Sequence, residues 1–233
     1  MSSESEGDGR EKSFEGQLQN MYERYRRRDL EDRLEDVADT MEATILQQAL
    51  AEALFDATIE IDREAKEAVD SSLNALERED YEQVEENFDE LESRVEEEQT
   101  RVSNEIQKLR LDRLDTVRAM RRLNERVEEV DSMRLEALEQ LLDDWNWKGQ
   151  VYTETASSLS DRRSEAVEYG EDMADIFEKM KQDLFGPYKG SDLWPLVESL
   201  LDEERLTYGD LTSKERDLLA ESDLAAYVEL SLS

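Results

Sequence analysis

Ala75-Leu76-Glu77-Arg78-Glu79-Asp80-Tyr81-Glu82-Gln83-Val84 reads as a corner between two helices. Asp80 can accept a hydrogen bond from the free N–H groups that open the second helix. Gln83, three residues on, can supply the other half of a capping box. Outward from the corner, the chain holds neither glycine nor proline between Gly16 and Gly149. Globular domains need such residues at their turns, and long helices do not. A turn at 78–81 divides this stretch into two arms of equal length, 14–78 and 81–145. Each arm is about 98 Å long if continuous at about 1.5 Å per residue. Equal arms predict a long antiparallel coiled-coil hairpin with its tip near Arg78–Tyr81.

The seam supports the same fold. Tyr81, Val84, Phe88, Leu91 and Val95 are spaced three and four apart, the a/d pattern of a left-handed coiled coil. Val102, Ile106, Leu109, Val117, Met120, Leu123, Val127 and Val130 extend the stripe, with a phase slip between Leu109 and Val117. Leu50, Leu54, Ala57, Ile61, Ala65, Ala68, Leu73 and Leu76 face it from the first arm, and Leu30, Leu34, Val37, Met41 and Ile45 continue it. The alanines of Ala49–Ala57 leave room for a close helix approach or a third helix. The corner itself resembles the one inside tetratricopeptide-type hairpins, where a helix ending in Ala-Leu is followed by Asp-Tyr. The resemblance covers about ten residues, and no repeat of about 34 residues follows.

A second corner is expected at Trp145-Asn146-Trp147-Lys148-Gly149, with Gly149 as the left-handed helix stop. A third helix over about 150–184 would present Val151, Leu159, Val167, Met173, Ile176, Phe177 and Met180, and complete a three-helix bundle at one end. Phe185-Gly186-Pro187-Tyr188-Lys189-Gly190 reads as a linker, 186–190. Residues 191–233 read as a small, mainly helical C-terminal cap. Asp192 and the capping box Thr212–Glu215 open its helices. Leu193, Trp194, Leu196, Val197, Leu200, Leu201, Leu206, Leu211, Leu218 and Leu219 form its core, and Tyr227–Leu232 forms a strand or a last helical turn. Residues 1–12 read as a disordered acidic tail, and 13–185 as the hairpin and bundle.

Composition narrows the function. Acids outnumber bases 63 to 29, for a net charge of −34, and 37% of residues are hydrophobic. That share suits a thin seam better than a thick core. Arginine outnumbers lysine, 21 to 8, and acid runs along the whole chain. This pattern resembles the proteins of salt-accumulating halophiles. At about 1 M salt the Debye length is about 3 Å, so most self-repulsion is screened. The chain has no histidine and no cysteine. Histidine bases, cysteine nucleophiles, disulfides and Cys/His zinc sites are therefore excluded. No phosphate-binding loop or EF-hand loop is present. No apolar run approaches the roughly 18 residues of a membrane span, and the N-terminus has no apolar signal core. The sequence thus predicts a cytoplasmic protein with no catalytic residues, cofactor, metal or membrane association.

Three features invite a partner. Residues 101–126 carry Arg101, Lys108, Arg110, Arg113, Arg118, Arg121, Arg122 and Arg126 against four acids. On a helix, Arg110, Arg118, Arg121 and Arg122 lie within about 120° of one another. The stretch is either a site for phosphate backbone or an acidic partner, or the face onto which the third helix lays Asp172, Asp175, Glu178 and Asp183. Arg24-Tyr25-Arg26-Arg27-Arg28 would face Glu128, Glu129 and Asp131 across the hairpin. Residues 77–98 form an acidic tip, either a solvated face or a docking tip for a basic partner, and Trp194 of the cap is a further candidate partner-binding residue, with core packing as the other reading. The expected function is a coiled-coil scaffold or interaction protein that uses a protein partner or a second copy of itself. The alternative is a nucleic-acid-associated factor using Arg110, Arg113, Arg118, Arg121 and Arg122.

Overall fold

The computed structural model describes residues 6–145, 158–203 and 211–226. Among them the ordered elements are all helical: α1 (Glu6–Phe55), α2 (Arg63–Glu77), α3 (Tyr81–Val127), α4 (Ser132–Asp144), α5 (Leu159–Phe185), α6 (Trp194–Glu203) and α7 (Ser213–Ala220). Short 3-10 turns lie at Gly186–Tyr188 and Asp223–Ala226. The protein is all-α. It divides into two compact units, 1–45 with 60–102 and 46–59 with 103–233. α1 starts at Glu6, inside the stretch expected to be a disordered tail; residues 1–5, and the side chains of 6–15 and of Leu18, lie outside the described set.

In the first unit the corner falls where the sequence places it. At the end of α2 the Arg78 N–H donates to the Ala75 carbonyl and the Glu79 N–H to that of Leu76. Glu79 takes a left-handed φ of 60°, and Asp80 accepts the Gln83 N–H at 3.3 Å. The hairpin that follows is antiparallel, because Arg94 reaches back to Asp62 and Glu64. Val84, Phe88, Leu91, Val95 and Val102 are buried along α3, and Ala65, Val69 and Ala75 along α2.

The first arm is not one helix. α1 ends at Phe55, Asp56 turns left-handed at φ 50°, and α2 begins at Arg63 after Asp62 caps it. The partner of α3 in the hairpin is therefore the 15-residue α2. α1 lies along α3 in the same direction: Arg26 pairs with Glu85 and Arg33 with Glu92, both 59 positions apart. A second reversal at 56–62 makes an up-down-up bundle, and it overturns the register that set Arg24–Arg28 against Glu128, Glu129 and Asp131. Leu30, Leu34, Val37 and Met41 remain the buried stripe of α1 in this unit.

In the second unit α3 also ends early. Glu128 turns left-handed at φ 53°, Asp131 caps α4, and α4 folds back along α3. The second arm is thus broken at 128–131. Trp145, at φ 47°, supplies the left-handed stop expected of Gly149. Gly149, Val151 and the opening of the expected third helix lie outside the described residues. α5 starts at Leu159 behind a Ser158 cap. Its Gly170 approaches α1 so closely that an added Cβ would sit 2.8 Å from Ala53 Cβ and from the Leu50 carbonyl oxygen. The alanine-rich end of α1 therefore does admit a third helix.

In the C-terminal cap the Thr212–Glu215 capping box is present. Leu196, Val197, Leu211, Leu219 and Leu224 are buried, and Leu193, Trp194 and Leu218 are half-buried. α6 opens at Trp194, with Ser191 rather than Asp192 meeting the leading N–H groups: its hydroxyl takes that of Leu193 and its carbonyl that of Trp194. The side chains of Leu200, Leu201 and Leu206, and residues 227–232, lie outside the described set.

Candidate interaction surfaces

The basic stretch on α3 is largely engaged inside its own unit. Arg118 donates to Glu139 at 3.3 Å and to Asp143 at 2.9 Å, and Arg121 donates to Glu139 at 2.7 Å. Burial works to raise the Glu139 carboxyl pKa, but hydrogen bonds from Arg121 and Arg118 outweigh it, and the net shift is downward. Arg113 places its guanidinium 4.1 Å from the Phe177 ring centre and 5.9 Å from that of Phe55. Phe55 stacks on Trp145 with ring centres 5.9 Å apart. Arg113 thus closes an aromatic cluster, a cation–π arrangement that ties α1, α3 and α5 together. Arg110 and Arg122 are half-buried, and each has its Nε shielded from solvent without a hydrogen bond there. The acids facing Arg118 and Arg121 come from α4, not from Asp172, Asp175, Glu178 or Asp183 of α5. The turn at 128–131 brings α4 there first. Trp194 is half-buried, with Lys189 Nζ 5.9 Å from its ring centre.

The acidic stretch 77–98 is partly engaged too. Glu85 and Glu92 hold Arg26 and Arg33. Glu98 is buried, accepts the Asp62 N–H at 2.7 Å and pairs with Arg101 at 2.8 Å. That pairing, chiefly the Arg101 hydrogen bond, lowers the Glu98 pKa. Beside the corner, Glu67, Asp70, Ser71, Asn74, Ala75, Arg78 and Gln83 line a shallow polar cleft of about 410 Å³. Asp70 there is paired with Lys66.

Residues 16–29 of α1 differ from both. Every described side chain from Gly16 to Asp29 is exposed, and burial starts at Leu30. Met21, Tyr22 and Tyr25 are 68%, 66% and 72% exposed. On the inward side Arg26 meets Glu85 and Arg27 lies 4.7 Å over the Tyr81 ring centre. At 100° per residue, Met21, Arg24, Tyr25 and Arg28 fall on the opposite, outward side. The sequence contained the signal for this surface: an apolar spacing of four between Met21 and Tyr25, out of phase with the stripe that starts at Leu30.

Among the described residues no group of three or more Asp or Glu is arranged to hold a metal ion. No described helix is long and apolar enough to cross a membrane. No protein-family model, curated protein or solved structure matches this chain.

Proposed function

We propose that the chain is a non-enzymatic helical scaffold or interaction protein of a salt-accumulating cell, working in the cytoplasm. One observation carries this reading: a helical segment, 16–29, whose described side chains are all exposed and which includes three large apolar ones. Most helical stability in proteins comes from tertiary packing of an apolar face. Among the described residues Met21, Tyr22 and Tyr25 of this segment stay exposed, so a partner that covers them would supply the apolar packing they lack there. Cross-linking in molar KCl tests the reading. Intermolecular links should concentrate on 16–29, and a map with none there would overturn it.

The nucleic-acid alternative has less support, because Arg118 and Arg121 would have to give up Glu139 and Asp143 to meet phosphate. The halophilic part of the reading rests on the net charge of −34. It predicts that the thermal midpoint rises steeply from dilute buffer to about 1 M KCl, as the screening length shrinks to about 3 Å. A midpoint indifferent to salt would remove that part.

A further inference from the structure

We propose that the outward side of α1 at Arg24 and Arg28 docks on the outward, acidic side of α3 in a second copy of this chain. This rests on the scaffold reading and names its partner. Arg24 and Arg28 are exposed and make no ion pair among the described residues. The chain holds 63 acids against 29 bases, so arginines without a carboxylate run against its composition. On α3, Val84, Phe88, Leu91 and Val95 mark the buried side. At about 100° per residue, Glu82, Glu86, Glu90 and Glu97 fall on the side away from them. These four are exposed, and they too make no ion pair among the described residues.

The inward side of α1 already uses this chemistry on its own α3. Arg26 pairs with Glu85 and Arg33 with Glu92. Arg27 and Arg33 also lie over the Tyr81 and Phe88 rings, 4.7 Å and 4.2 Å from the ring centres. The outward side repeats the arginines one helical turn apart, with Met21 and Tyr25 beside them, 68% and 72% exposed. Glu86 and Glu90 are also one turn apart, so they match Arg24 and Arg28 whichever way the second α3 runs. Charge complementarity thus selects a carboxylate-lined helix, and every copy of the chain brings one. At about 1 M salt the screening length is about 3 Å. Long-range repulsion between two chains of −34 is then suppressed, while charges in contact still pair. Covering Met21 and Tyr25 adds apolar burial to those pairs.

Charge reversal tests the pairing. In molar KCl, light scattering on the full chain should show a mass that climbs above the monomer as protein concentration rises. Arg24→Glu/Arg28→Glu and Glu86→Arg/Glu90→Arg should each stay monomeric with unchanged helical circular dichroism, since all four side chains are exposed. An equimolar mixture of the two double variants should regain the assembly. In the mixture each reversed surface meets its reversed counterpart, and each native surface meets a native one. A chain carrying all four substitutions should regain the assembly alone, which keeps the test standing if one double variant fails to fold. A monomeric wild type, an assembly untouched by either double variant, or a mixture that stays monomeric would overturn the proposal. A monomeric wild type that still cross-links to other proteins through 16–29 would sink self-docking and leave the scaffold reading intact.

Discussion

Two interruptions break the long helices, and they are built almost alike. At 56–62 Asp56 turns left-handed and Asp62 caps the next helix with φ −64° and ψ 107°. At 128–131 Glu128 turns left-handed and Asp131 caps with φ −66° and ψ 109°. In both, the cap carboxylate accepts the N–H two residues on, at 2.9 Å. Neither uses glycine or proline. They differ in what holds the connector. Glu98, 36 positions away, takes the Asp62 N–H, while Arg101 reaches both Glu98 and the Glu60 carbonyl. At the other break Asn124, six positions away, clasps Val130 by both its N–H and its C=O, at 2.9 Å each. One lock is charged and long-range, and the other is neutral and local. A chain can therefore stop a helix without a breaker residue, provided a buried polar side chain satisfies the freed backbone.

That contrast can be broken most sharply at Glu98. Glu98→Ala takes the carboxylate from Arg101 and leaves the Asp62 N–H unpaired, and should cost about 2–3 kcal/mol in denaturant unfolding. The lock should also titrate. The Glu98 pKa is lowered in the folded protein, so its contribution is complete above the ordinary carboxylate range and is lost as pH falls through the depressed value. The stability gap between wild type and Glu98→Gln should therefore close on acidification. A gap constant with pH would contradict the charged lock.

Asn124→Ala should cost about 1–3 kcal/mol by unpairing Val130, and that loss should not change with pH over the same range. Asn124→Asp should recover little of it, because the carboxylate cannot donate to the Val130 carbonyl. A pH-dependent Asn124→Ala loss would erase the distinction between the two locks. Among the caps, Asp131→Ala should cost about 1 kcal/mol. Asp62→Ala should cost more, because Asp62 also holds Arg94 at 3.1 Å. Equal losses would show that the Arg94 pair adds nothing. The smallest effect is a gain. Asp56→Gly and Glu128→Gly relieve the left-handed backbone and should each raise stability by up to about 1 kcal/mol, similarly at both breaks. A loss at either would mean that its side chain is needed in place.

Much of this was legible in the residues. The corner at Asp80, the capping box at Thr212, the buried stripes of α1 and α3 and the all-α class follow from spacing and cap chemistry, which act over a few residues. The two breaks were not found, although Asp62 and Asp131 are ordinary cap residues, because without glycine or proline they resemble any other acid in a chain rich in acids. The site residues fared unevenly. Arg118 and Arg121 occupy one face as expected, but their partners depend on which helix folds back beside them. The Met21–Tyr25 face was overlooked because an apolar pair on a helix reads as core until its exposure is seen.

The sequence by itself determined that this chain is helical, where its central corner lies and which stripes are apolar. Those properties are set by local hydrogen bonding and by the 3.6-residue period. Only the tertiary structure decided that α1 runs parallel to α3 in the first unit, that Glu98 and Asn124 hold the breaks, and that Arg118 and Arg121 are paired with acids of α4. Those outcomes depend on which distant groups meet, and with 63 acids and 29 bases the residues alone permit many pairings.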